Sequence, residues 1–221
     1  MPELQKKMWQ IPDQDKPLVK ICGLTQIENA LACAKAGADM IGLVFFKKSP
    51  RNVSFFQARD ITRALPSHIP ACGVFVNAGY STIMETVDIC KIRVVQLHGN
   101  EPPELVDKLS SQGLIVIKAF FAARSPELSK AGQYKAADFC LAEYGKGVLP
   151  GGNAETWDYG LASNMTKDSR LMLAGGLTPD NVAQAVSLAK PVAVDASSGV
   201  EAEPGLKDVA KVKSFIAAAK S

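Results

Sequence analysis

The chain has no apolar run approaching the ~18 residues that a membrane-spanning helix needs. Its first residues are polar and charged and lack the apolar core of a secretory signal, so a cytoplasmic location and no membrane partner are expected. Cysteine is sparse. The five cysteines, at 22, 33, 72, 90 and 140, show no metal-ligand spacing, and their odd number and scatter suit reduced thiols rather than a disulfide frame. No basic stripe is present: 25 Lys and Arg against 22 Asp and Glu leave a net charge of +3 with signs mixed throughout, which does not suggest nucleic acid. Asn-Gly hairpin turns are missing between the apolar segments, so antiparallel pairing has little to build on.

What is present is apolar and regular. With 47% hydrophobic residues, the 221-residue chain can fill a substantial core, either one large domain or two small ones. Residues 1–17 read as a loose leader. From 18 onward, short β-branched runs alternate with amphipathic segments. Strands are expected at 18–22, 40–46, 71–76, 93–97, 114–120, 138–141, 171–173 and 192–194. Helices are expected at 26–36, capped by Thr25 and closed by Gly37, and at 55–65, capped by Ser54. Others are expected at 81–90, 102–112, within 126–134, near 157–163, and at 179–188 and 207–219. Such alternation implies parallel strands with helical crossovers. Eight units repeating at about 25 residues predict a single (β/α)₈ TIM barrel over 18–221, with a doubly wound open sheet as the rival.

In such a barrel the C-terminal ends of the strands carry the chemistry. The first strand, Val19-Lys20-Ile21-Cys22-Gly23, puts Lys20 and Cys22 on one face by simple alternation. A lone strand cysteine is ordinarily inert packing, and only its position at the strand end argues otherwise. Gln96 and His98 lie two apart at the end of strand four and share a face, as a structural pair or as ligand contacts at the mouth. Arg51 follows Lys47, Lys48 and Pro50 in a charged loop, and is either solvated or placed to clamp a carboxylate. Two late turns, Ala174-Gly175-Gly176-Leu177 and Asp195-Ala196-Ser197-Ser198-Gly199, expose backbone N–H groups after strands seven and eight. That is where this fold commonly seats a phosphate.

These segments, together with Lys48-Ser49-Pro50-Arg51, Gln96-Leu97-His98-Gly99 and Pro204-Gly205-Leu206-Lys207-Asp208, resemble the phosphoribosylanthranilate isomerase family of tryptophan biosynthesis, in its order and spacing. The resemblance runs from Leu18 onward and implies an Amadori rearrangement of a small phosphosugar without metal or other cofactor, in a monomer or homodimer. It implies Cys22 as the base, Arg51 on an anthranilate carboxylate, Asp195 on ribose hydroxyls, and Gly175, Gly176, Ser198 and Gly199 on the phosphate. A free thiol has a pKa of about 8.5, so Cys22 needs cations nearby, and Lys20 is the candidate.

One part departs from the family pattern. The family's acid is an Asp ending strand six, followed by Gly-Gly-Thr-Gly and Phe-Asp-Trp. Here the strand reads Asp138-Phe139-Cys140-Leu141-Ala142-Glu143, the loop reads Gly151-Gly152-Asn153-Ala154, and the triplet is Trp157-Asp158-Tyr159. The acid position falls on Ala142 or Glu143, and Glu143 is the expected acid. If Ala142 stood there, the chain would be a diverged barrel that binds a phosphorylated ligand with weak or lost activity. A third reading, an isomerase of a related phosphosugar amine, is opposed by Arg51.

Overall fold

The computed structural model describes residues 16–146, 156–165 and 170–221. Residues 1–15 of the expected leader and the Gly151-Gly152-Asn153-Ala154 loop lie outside the described residues. The apolar runs form β1 (Leu18–Cys22), β2 (Met40–Phe45), β3 (Ala71–Phe75), β4 (Val94–Leu97), β5 (Ile115–Phe121), β6 (Phe139–Glu143), β7 (Leu171–Leu173) and β8 (Ala193–Ala196). Each pairs in parallel with the next, and β8 returns to β1 with Lys20 opposite Asp195, closing the expected (β/α)₈ barrel. Closure leaves the barrel itself without a free strand edge.

The crossovers include α1 (Ile27–Lys35), α2 (Phe55–Ala64), α3 (Tyr80–Cys90), α4 (Pro103–Ser111), α5 (Val182–Ala189) and α6 (Val209–Ala219). Ser54 caps α2 as expected, in a reciprocal box with Gln57. Thr25 does not cap α1. Gln26 takes that position, and Thr25 Oγ1 instead donates to the Gly205 carbonyl at 3.0 Å. After β5 and β6 the expected helices are 3₁₀ turns, Leu128–Gln133 and Tyr159–Asn164. The first of these buries only Ala131, so it has no apolar stripe on which an α-helix could seat.

Alternation divides the core into two layers. Val19, Ile21, Ile41, Leu43, Val95, Leu97, Cys140 and Ala142 face the helices. Leu18, Cys22, Met40, Cys72, Val74, Ile117, Phe139 and Leu141 fill the barrel interior. Strand six runs two residues beyond the expected 138–141, because Phe121 pairs with Glu143 at the end of the β5–β6 ladder. This extension fixes which residues reach the barrel mouth. Past β8, a small antiparallel hairpin of β9 (Glu201–Glu203) and β10 (Leu206–Lys207) leads into α6.

Candidate active site

A cavity of about 760 Å³, open to solvent, lies at the C-terminal ends of the strands. All ten expected site residues line it: Cys22, Arg51, Gln96, His98, Glu143, Gly175, Gly176, Asp195, Ser198 and Gly199.

On the β1–β8 side, Lys20 sits one interior layer below Cys22 and is 1% exposed. Its Nζ lies 2.8 Å from Asp195 Oδ2 across the β1–β8 pairing. Burial alone would pull the Lys20 ammonium down, but the adjoining Asp195 carboxylate overrides it and keeps the lysine charged. For Cys22, burial pushes the thiol up, and the Lys20 and Lys207 ammonium groups only partly offset this. The expected cation is therefore there, yet its charge is shared with Asp195 and the thiol is the resting form. The sulfur has room because Gly42 is its neighbour on β2: a Cβ at that position would lie 2.6 Å from Sγ. Asp195 Oδ1 is buried and has no hydrogen-bond partner, so an acceptor is left for a ligand hydroxyl.

On the β4–β6 side, Ala142 packs in the outer layer, so its neighbour Glu143 turns inward to the cavity. Of the two, Glu143 is the one whose side chain faces the mouth. His98 Nε2 lies 2.8 Å from Glu143 Oε2, and Gln96 Nε2 is 2.9 Å from His98 Nδ1. Gln96 Oε1 is buried without a partner.

Arg51 is buried against the β9 end. Its Nε and Nη2 donate to Glu201 Oε1 and Oε2 at 2.8 and 2.6 Å. The side edge of the guanidinium is therefore taken by Glu201. The end-on edge, Nη1 with the second Nη2 hydrogen, is what remains for a carboxylate. Burial opposes ionisation of Glu201. Hydrogen bonds from Arg51 and from Lys207, the latter at 2.7 Å, outweigh it and bring the carboxyl down to about 2.

The phosphate-type turn is braced from behind. Trp157 Nε1 donates to Ala174 O at 3.0 Å, Tyr159 Oη to Gly175 O at 3.0 Å, and Asn181 Nδ2 to Gly176 O at 2.9 Å. None of these three donors lines the cavity. In a trans peptide the next N–H points opposite to the carbonyl, so the amides of Gly175, Gly176 and Leu177 are turned away from those donors. Across the turn, a Cβ on Gly199 would meet Leu177 O at 2.0 Å, so the two turns can approach this closely only with glycine there.

Sequence reading missed several residues. Trp157 and Tyr159 were noted only as a departure, and their bracing role depends on a long-range contact. Glu201 and Lys207 as partners of Arg51 were likewise invisible. Lys118 could have been found, since a lysine within the apolar run Ile115-Val116-Ile117 has to be paired. It is fully buried, donates to Gly99 O at 2.8 Å and lies 3.2 Å from Glu101, which accepts from Gly99 N. This pins the turn that carries His98.

A family model described as N-(5'phosphoribosyl)anthranilate (PRA) isomerase matches residues 19–218. The N-(5'-phosphoribosyl)anthranilate isomerase of Desulfatibacillum aliphaticivorans is 50% identical over 198 residues, 90% of each chain. The crystal structure of phosphoribosyl anthranilate isomerase from Thermotoga maritima superposes with a TM-score of 0.84 at 39% identity, covering 92% of this chain and 98% of that one. A phosphoribosyl anthranilate isomerase in complex with reduced 1-(o-carboxyphenylamino)-1-deoxyribulose 5-phosphate gives 0.81 at 38% identity, with coverage of 92% and 98%. This chain belongs to the N-(5'-phosphoribosyl)anthranilate isomerase family.

Proposed function

We propose that Cys22 and Glu143 are the base and acid with which this chain converts N-(5-phosphoribosyl)anthranilate to 1-(2-carboxyphenylamino)-1-deoxyribulose 5-phosphate in tryptophan biosynthesis. Glu143 gives a proton to the furanose ring oxygen as the C1–O bond breaks, and the anilino nitrogen supplies the electron pair that makes the iminium. Cys22, as thiolate, removes the C2 proton to give an enolamine. Protonation at C1 and loss of the O2 proton then complete the ketone. Both transfers use side chains, so the chemistry calls for no metal or redox cofactor. Arg51 presents its free edge to the anthranilate carboxylate, and Asp195 Oδ1 accepts from a ribose hydroxyl. Gly175, Gly176, Ser198 and Gly199 hold the phosphate through backbone amides, and Gln96 and His98 wall the cavity. The partner is a small phosphosugar in the cytoplasm. The cavity is built from one chain, so a monomer or homodimer serves equally.

The observation that carries this reading is that a thiol from β1 and a carboxyl from β6 line one cavity with the two glycine turns. Substrate generated in situ is fluorescent and is consumed by turnover. Wild-type protein should quench it, Cys22→Ala should lose roughly 10³-fold or more in kcat, and Glu143→Gln roughly 10²–10⁴-fold. Wild-type kcat in Glu143→Gln would remove the acid assignment, and an active Cys22→Ala would remove the base.

A further inference from the structure

Past β8 the chain adds a hairpin that the eight-strand repeat does not require, β9 with β10. It is tied to the start of α1 from two sides. Asn29 Nδ2 donates to Lys207 O at 2.9 Å, and Asn29 Oδ1 accepts from Lys207 N at 2.8 Å. Thr25 Oγ1 donates to Gly205 O. What the hairpin carries is the counter-charge of Arg51. Glu201 accepts from Arg51 Nε and Nη2, from Lys207 Nζ at 2.7 Å and from Gly205 N at 3.0 Å. All three charged side chains are buried.

A guanidinium on a long flexible stem can point its fork many ways. Here the fork has one setting. Glu201 takes the side edge with two bonds, which fixes the guanidinium plane. Gly23 lies against the stem: a Cβ at that position would meet Arg51 Cδ at 2.5 Å. Charge is arranged as well as position. An Arg–Glu pair alone is neutral, and its carboxylate would oppose a second one approaching. Lys207 makes two cations for one anion, so the cluster keeps a net positive charge behind the cavity.

We propose that Glu201 is a positioning residue that gives the site its selectivity for a substrate with a carboxylate on its aromatic ring. It does so by holding the free edge of Arg51 in one orientation, while Lys207 keeps the cluster cationic. This rests on Arg51 receiving the anthranilate carboxylate. A Gln at 201 offers one acceptor in place of two, so one of the paired bonds is lost and the fork can turn.

The test is a ratio. Two substrates are formed in situ from ribose 5-phosphate and an amine: N-(5-phosphoribosyl)anthranilate, and N-(5-phosphoribosyl)aniline, which lacks the carboxylate. kcat/KM is measured for both on each preparation by chromatography of the ketose product, so inactive protein divides out. The parent should favour the anthranilate compound. Arg51→Met should lower that preference about 100-fold or more, and Glu201→Gln about tenfold, since Arg51 there keeps its charge. Glu201→Asp, which draws the carboxylate one methylene back from Arg51, carries the same test should Glu201→Gln not fold. An unchanged ratio in the Glu201 variant, whether through no loss or through equal losses on both substrates, beside a collapsed ratio in Arg51→Met overturns the proposal alone. No preference in the parent, or one untouched in Arg51→Met, overturns the reading of Arg51 and the proposal with it.

Discussion

The two walls of the cavity solve opposite problems. On the β1–β8 wall the group assigned as base is a thiol that burial holds protonated, with the Lys20 and Lys207 ammonium groups working against burial and the Asp195 carboxylate working with it. On the β4–β6 wall the group assigned as acid is a carboxyl, whose contact at 2.8 Å is a histidine, with the Arg124 guanidinium acting on it from further away. A base must be able to lose its proton, so it needs positive charge nearby. An acid must keep its proton until the ring oxygen arrives, and a full positive charge against it would strip that proton early. On that assignment, neighbours as well as the identity of the reacting residue would sort the two roles.

The contrast can be broken hardest at Lys20. Lys20→Met removes the cation beneath Cys22 and leaves Asp195 buried without its partner. It should cut kcat/KM more than about 100-fold, since the thiol then loses the ammonium that opposes its burial. The stranded carboxylate should also lower Tm by on the order of 10 °C, as broken buried pairs cost about 3–5 kcal/mol. Steady-state kinetics and a thermal melt check both.

On the other wall, Glu143→Asp shortens the acid by one methylene and draws it back from both His98 and the substrate. The expected loss is about 10–100-fold in kcat, because misplacement by about 1 Å carries that scale of effect. An Asp variant as fast as the parent would mean that the longer side chain is not matched to this mouth.

The two walls should also separate in a pH profile. Burial holds the pKa of Cys22 above the usual thiol value, so the rate of its alkylation, which needs only the thiolate, should rise with pH, about tenfold per unit through neutrality and on past pH 8.5. A plateau already reached at pH 7 would show that the cations win over burial.

The smallest effect lies behind Arg51. Glu201 titrates lower in the folded chain than in the unfolded one, so its contribution to stability is complete above the ordinary carboxylate range. It fades as pH falls toward about 2. Glu201→Gln should therefore lower Tm by roughly 5 °C at pH 6, with the gap to the parent closing in acid.

Much of this was readable from the chain because strands buried on both faces announce themselves as unbroken apolar runs, and the strand ends then nominate the site. Cys22 with Lys20, and Gln96 with His98, needed only alternation. Glu143 was harder. Which of Ala142 and Glu143 faces inward depends on the register of β5 with β6, a pairing that the local sequence does not encode. The Thr25 cap failed for a similar reason: its hydroxyl found the Gly205 carbonyl, 180 residues away in sequence. Trp157, Tyr159 and Glu201 act through contacts made only once the barrel has closed. Lys118, a charge inside an apolar run, left a sign that was overlooked.

The separation of the apolar packing into a sleeve under the helices and a column inside the strands bears on how such a molecule can be altered. Exchanges such as Ile41→Val or Leu109→Met act on the sleeve, and neither residue lines the cavity. Heat tolerance and reaction rate can thus be tuned on opposite sides of the same strands. A chain of this design can drift toward hotter or colder surroundings while its chemistry stays where it was.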